Sequence, residues 1–320
     1  MKKVFRNIIS IVLSFVLAAS VAGCGIFGAL SEFTAEDFAD RYMDTDAMSD
    51  IFVETAEKYA ESYLAPLRGE GLFGLISDGV ESIVRSFIRS DTCRAIADRT
   101  AREYTEGFIR YLRTGEGEWS PDRAALSGVS DALIAEIEKS IGFGVGAIGR
   151  AWLSSLIDKY IDSILLPQIT GIVPTYEQAA ESFMPKGSVR AFRAGLALYE
   201  NGTFVLLCIS SALLLLVLGA VLSEKGKRFF GLLPAATGFI LGWCAIRLAA
   251  AGVPKLMKLP QIALVPENAY TAVNELASSA AAELSKLIAS GSGVFLALGA
   301  AALAIFIVIA LLTRKGNREE

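Results

Sequence analysis

With 320 residues, 53% of them hydrophobic, and a mean hydropathy of +0.49, the chain is too apolar for an average soluble protein. It contains no histidine, which removes the commonest general base and the commonest metal ligand. Its net charge of −4 is unevenly spread: residues 31–202 carry 28 acidic and 17 basic side chains, a net −11 that repels phosphates and excludes nucleic acid as a partner, whereas the remainder carries 6 acids and 13 bases.

Residues 1–30 support two readings. Lys2, Lys3 and Arg6 form a positive start, and Ile8–Ala22 is an apolar run. Val21-Ala22-Gly23-Cys24 then resembles a bacterial lipobox, in which Cys24 would be lipidated and would become the first residue of the mature chain. Alternatively, Ile8–Leu30 is an uncleaved transmembrane helix. The apolar run continues past the cysteine through Ile26, Phe27, Ala29 and Leu30, which a cleaved signal does not need. Later spans already anchor the chain, so lipidation would be redundant for attachment. The retained helix is therefore preferred. Both readings place residue 31 onward outside the cytoplasm.

Residues 31–202 read as an acidic, extracytoplasmic helical domain. Phe52, Ala56, Tyr59, Tyr63 and Leu67 repeat at three- and four-residue steps, as do Val80, Val84, Phe87 and Ile88. Ala97, Ala101, Tyr104, Phe108 and Tyr111 form another stripe, and Leu153, Leu156, Tyr160 and Ile164 a fourth. Such stripes are core-facing sides of amphipathic helices. Ser120-Pro121 reads as a helix start, and Thr175 with Gln178 as a capping box. No run alternates with period two. An all-α bundle is expected, large enough to bury its own core.

Residues 203–222 and 229–251 are apolar runs of spanning length, interrupted only by Arg247. In hydrocarbon only a helix satisfies its own backbone groups. The basic turn at 223–228 belongs on the cytoplasmic side by the positive-inside rule. Residues 252–292 form a second outer segment. Pro254, Pro260 and Pro266 are expected to break any helix in its first half. From Glu267 an amphipathic helix follows, with Val273, Leu276, Ala280, Leu284 and Leu287 on one face. Residues 293–312 are the last span, and residues 313–320 a basic inner tail. The chain therefore reads as an all-α polytopic membrane protein of the bacterial cytoplasmic membrane, carrying an extracytoplasmic helical bundle.

Few residues point to chemistry. Gly144-Val145-Gly146-Ala147-Ile148-Gly149 matches G-x-G-x-x-G, but a helical pattern precedes it where a dinucleotide site needs a strand. Those glycines read instead as a kink or a small-residue packing face. Asp44, Asp46 and Asp50 fail the calcium-loop pattern at Met48, Ser49 and Thr55. Arg247, the one charge inside a span, is a candidate intramembrane functional charge, set against a side chain that snorkels to the outer interface. Among the four cysteines, Cys93 alone lies in the polar region, and Cys208 and Cys244 read as small packing residues. No metal, cofactor or catalytic constellation emerges.

Arg6–Phe33 (RNIISIVLSFVLAASVAGCGIFGALSEF) and Lys227–Val253 (KRFFGLLPAATGFILGWCAIRLAAAGV) share one pattern: basic residues, then a glycine-spaced apolar helix. In these two stretches the chain resembles the colicin V production protein family of membrane proteins. It departs from that family in lacking its first helix and its Arg-Gly-rich inner turn, and in adding the acidic region and the final span. The resemblance implies a small set of spans and an envelope- or export-related role. The expectation from the residues is a noncatalytic cell-envelope protein whose acidic domain binds a protein or wall component. The alternative is a channel or transporter subunit.

Overall fold

The computed structural model describes residues 2–35, 38–42, 82–83, 85–119, 128–141, 146–160, 175–184, 187–222, 231–256 and 267–316, with residues 50, 53, 54, 56, 57, 144 and 162 besides. Among these residues the fold is helical throughout and has no strand. In chain order the helices are α1 (Lys2–Phe33), α2 (Phe38–Tyr42), α3 (Asp91–Thr114), α4 (Val129–Ile141), α5 (Ala147–Tyr160), α6 (Tyr176–Phe183), α7 (Ser188–Glu200), α8 (Thr203–Leu222), α9 (Leu232–Leu256), α10 (Glu267–Ser290) and α11 (Gly293–Gly316). They divide into two compact units. One comprises Met1–Ala35, Gly187–Lys258 and Ser278–Glu320; the other comprises Glu36–Lys186 and Leu259–Ala277.

Four stretches are long and apolar enough to cross a bilayer: Val4–Phe33, Thr203–Val221, Leu232–Lys255 and Ala277–Leu311, the last beginning one residue before the first unit resumes. The last is 35 residues, which as one rod would be about 52 Å. Its helix is interrupted between Ser290 and Gly293, the point where the sequence predicts the final span to begin.

α1 is the hub of this unit. It packs along both α8 and α9, α9 packs on α11, and α8 and α9 meet far less extensively. Leu17 and Val21 of α1, Leu215 of α8 and Ile246 of α9 are fully enclosed. Phe15, Leu206, Leu213, Val217, Val294 and Val308 point outward and exposed, as side chains that meet lipid do.

Small residues set the register. Leu17 lies on Gly238, Val21 on Gly242, and Ile246 on Gly25, so α1 and α9 run parallel in steps of four. A Cβ at position 242 would lie 2.5 Å from Val21 and 2.9 Å from the Ala18 carbonyl, a separation only glycine permits. Gly238 and Gly242 thus form a Gly-x-x-x-Gly contact, through which backbones approach where lipid supplies no hydrophobic drive. α8 runs antiparallel to α1, with Phe27 stacked on Phe204 at 5.7 Å between centroids. The buried hydroxyls are satisfied by carbonyls. Ser20 donates to Val16 and Ser211 to Leu207, at 2.7 and 2.5 Å. Ser14 shares its proton between Ser10 at 2.8 Å and Pro234 of α9 at 3.0 Å.

Pro254 does not end α9, contrary to expectation; the helix runs through it to Leu256. Proline has no N–H, so the carbonyl of Ala250 loses its helical donor. Ala250 is buried, and an unmet buried carbonyl costs about 1–3 kcal/mol. Ser285 of α10 removes that cost by donating its hydroxyl to the Ala250 oxygen at 2.8 Å. Pro260 and Pro266 lie outside the described residues. In the turn between α7 and α8, Gly202 takes a φ of 68°, a conformation that glycine adopts freely.

In the second unit, α3 starts at Ser90, whose hydroxyl accepts the Cys93 N–H at 3.2 Å, and ends at Gly115 with φ 83°. α6 opens with the predicted capping box: the Thr175 hydroxyl accepts from the Gln178 N–H at 3.3 Å, and the Gln178 side chain accepts from the Thr175 N–H at 3.0 Å. The expected helix start at Ser120-Pro121, and the stripe from Phe52 to Leu67 apart from Ala56, lie outside the described residues.

Candidate functional site

Cys24 lies well inside α1, nine residues before its end at Phe33, and is half-buried. Gly23 beside it faces the Phe204 ring, and Gly25 faces Ile246. The residue that would begin a lipoprotein is therefore flanked by contacts to α8 and α9.

Arg247 is exposed on α9, with Leu248 exposed beside it. The helix continues nine residues past Arg247 to Leu256, so the arginine sits further from the helix end than the sequence suggests. The neighbouring helices fix its level. Ile246 touches Gly25, Gly23 touches Phe204 at the start of α8, and Gly28 touches Tyr199 just before the Asn201-Gly202 turn. Arg247 therefore lies level with the first residues of α8.

The second unit is organised by an aromatic cluster. Tyr176 of α6 is buried, with its ring centroid 5.3 Å from Tyr104, 6.2 Å from Phe108 and 5.9 Å from Tyr111, all on α3. Trp119 meets Tyr104 edge-on at 5.4 Å. Gly107 makes room: a Cβ there would lie 1.9 Å from the Tyr176 hydroxyl. Burial, reinforced by Tyr176, pushes the Tyr104 phenol from 10.0 up to about 12. Burial also raises Tyr176. Between pH 10 and about 12 the unfolded chain loses the Tyr104 proton and the folded chain keeps it. Stability contributed by the neutral phenol is thus complete below pH 10 and declines as pH rises towards 12. Phenolate absorbance of the intact protein should show Tyr104 titrating late, with Tyr176 also delayed, and Tyr104→Phe should remove the step near pH 12.

Ion pairs decorate this unit. Arg102 bridges Asp40 at 2.5 Å and Asp98 at 3.3 Å, Arg94 meets Asp50 at 3.2 Å, and Arg150 meets Glu138 at 2.6 Å. The Arg89 hydrogen bond holds Glu57 below the usual carboxylate range, and Ser86 with Lys139 does the same for Glu136. Arg89, Arg94 and Arg150 are substantially exposed, and solvent-exposed ion pairs add little to stability.

The remaining sequence candidates are not brought together. Asp50 is occupied by Arg94, and Asp44 and Asp46 lie outside the described residues. Gly144 and Gly146 precede α5 and follow the helix α4, with open space where a Cβ would stand. Among the described residues it is the helix α4, not a strand, that precedes them, and nothing lies within 4 Å of a Cβ placed on Gly146. Among the described residues, no group of three or more Cys, Asp or Glu side chains is placed to hold a metal ion.

Two features escaped the sequence. Cys93 completes the α3 stripe with Ala97, Ile109 and Leu112, and burial pushes its thiol up to about 11. Gly238 and Gly242 were legible only as glycine spacing. Comparison with protein-family models, curated proteins and solved structures finds no match for this chain.

Proposed function

We propose that this is a noncatalytic membrane protein of the bacterial cell envelope, held in the cytoplasmic membrane by its apolar helices. In this reading residues 31–202 and 252–292 stand outside, and the acidic region binds a protein or wall component. The basic flanks Lys2, Lys3 and Arg6, the 223–228 turn, and Arg314, Lys315 and Arg318 support that orientation. An envelope role is also what the resemblance to the colicin V production protein family implies.

One observation carries the choice of a binding role over transport. The interior of the span unit is filled by apolar side chains, and its buried serines are bonded to carbonyls. Transporters present polar or broken helices at mid-membrane depth. The net −11 of residues 31–202 favours a partner with a basic surface. Affinity capture with the full-length chain in lipid nanodiscs should retain a partner that washes off as salt is raised. A solute flux in proteoliposomes that needs this chain alone would overturn the reading.

A further inference from the structure

Ser20, Cys24 and Phe27 recur at four- and three-residue steps on one face of α1. Phe204, Cys208 and Ser211 do the same on α8. The two faces meet. Phe27 stacks on Phe204 at the outer end, and Ser20 and Ser211 are buried towards the inner side, 2% and 3% exposed. With antiparallel helices, Cys24 and Cys208 fall opposite each other, one turn inward of the Phe27–Phe204 stack. Gly23, whose missing Cβ admits the Phe204 ring, lets α8 come close at this level. The two thiols lie within electrostatic range of each other, and both are free. Phe204 is the second residue of α8, so the pair sits about one turn inside that helix's outer end.

We propose that Cys24 and Cys208 are a redox pair that closes into a disulfide joining α1 to α8. The step is thiol–disulfide exchange with an external disulfide, either a protein disulfide or an oxidised small thiol. One cysteine thiolate attacks the external disulfide and expels its first thiol. The second thiolate attacks the resulting mixed disulfide and expels the second. One S–S bond forms and one breaks. Two electrons and the two cysteine protons end on the external pair, which leaves as two thiols. The bridge ties together the two helices that lead into and out of the acidic region. It also gives Cys24 a role incompatible with acylation. The inference needs α1 to be retained and is independent of what the acidic region binds.

The test uses the full chain in proteoliposomes, with Cys93→Ala and Cys244→Ala and a protease site inserted between Glu116 and Gly117. After oxidised glutathione and cleavage, the two fragments should run as one band without reductant and as two with dithiothreitol. Cys208→Ser should separate them under both conditions. The unaltered chain, alkylated rapidly in native membranes and digested, should yield the linked Cys24–Cys208 peptide, which guards against a folding defect in the variants. Fragments that separate without reductant while both cysteines react with a maleimide would overturn the pair. So would a bridge formed only between two copies, or a chain whose first residue is an acylated Cys24.

Discussion

Gly242→Leu is expected to weaken the span unit by about 1–3 kcal/mol, the usual cost of forcing side-chain volume into a filled contact. The new Cβ would start 2.5 Å from Val21 and 2.9 Å from the Ala18 carbonyl. The methyl of Val21 can give way a little, but the carbonyl belongs to the backbone of α1 and cannot. Removing a helix-interior glycine works in the opposite direction, gaining up to about 1 kcal/mol in propensity. That gain would be the whole effect if α9 met only lipid at this level. Gly252→Ala on the same helix is the control, because nothing lies within 4 Å of its missing Cβ. Reversible denaturant titration of both variants in lipid micelles reads the difference. Gly242→Leu should lower the midpoint and Gly252→Ala should leave or raise it. Matching behaviour of the two would mean that α1 does not lie beside α9. That outcome is expected of a chain cleaved before Cys24, since Leu17, Val21 and Ser14 would leave with the signal. α8 would then also lose the helix it packs on most, keeping only its lesser contact with α9.

The elements that were legible in the sequence are those specified by local chemistry. A spanning helix announces itself by some 20 apolar residues. The capping box at Thr175 and Gln178 needs only four neighbouring residues, and the α3 stripe only its own period. What could not be read depends on which helices meet. α8 is apolar on every side, so nothing in its composition shows which face turns towards α1. Gly238 and Gly242 could equally have marked a kink, and only Leu17 and Val21 on another helix make them a contact. Pro254 looked like a terminator because its repair comes from Ser285 of α10, distant in sequence. The level of Arg247 likewise depends on Gly25 and Phe204, on two other helices. Cys24 and Cys208 face each other only once α1 and α8 are known to be antiparallel neighbours.

Tyr176→Ala is expected to cost the second unit about 3–5 kcal/mol, the range for deleting a buried aromatic side chain. Tyr176 is 5% exposed and touches three rings of α3. α6 has eight residues, too few to hold a helix in water by itself. Its capping box satisfies the first turn. Attachment comes from Tyr176, with Ala179 and Ala180 also buried. The exposed Arg94–Asp50 and Arg150–Glu138 pairs do not involve α6 and do not replace it. Tyr176→Phe keeps the ring and should retain most of the stability. Gly107→Val approaches from the other side: its added carbons would occupy the space of the Tyr176 hydroxyl, so it should resemble Tyr176→Ala. Hydrogen exchange of the intact chain in nanodiscs would follow the amides of α3 and α6. In Tyr176→Ala and Gly107→Val, α6 should lose protection entirely and α3 in part, with α8 and α9 unchanged. Full protection of α6 in Tyr176→Ala would show that the aromatic cluster does not hold this unit together.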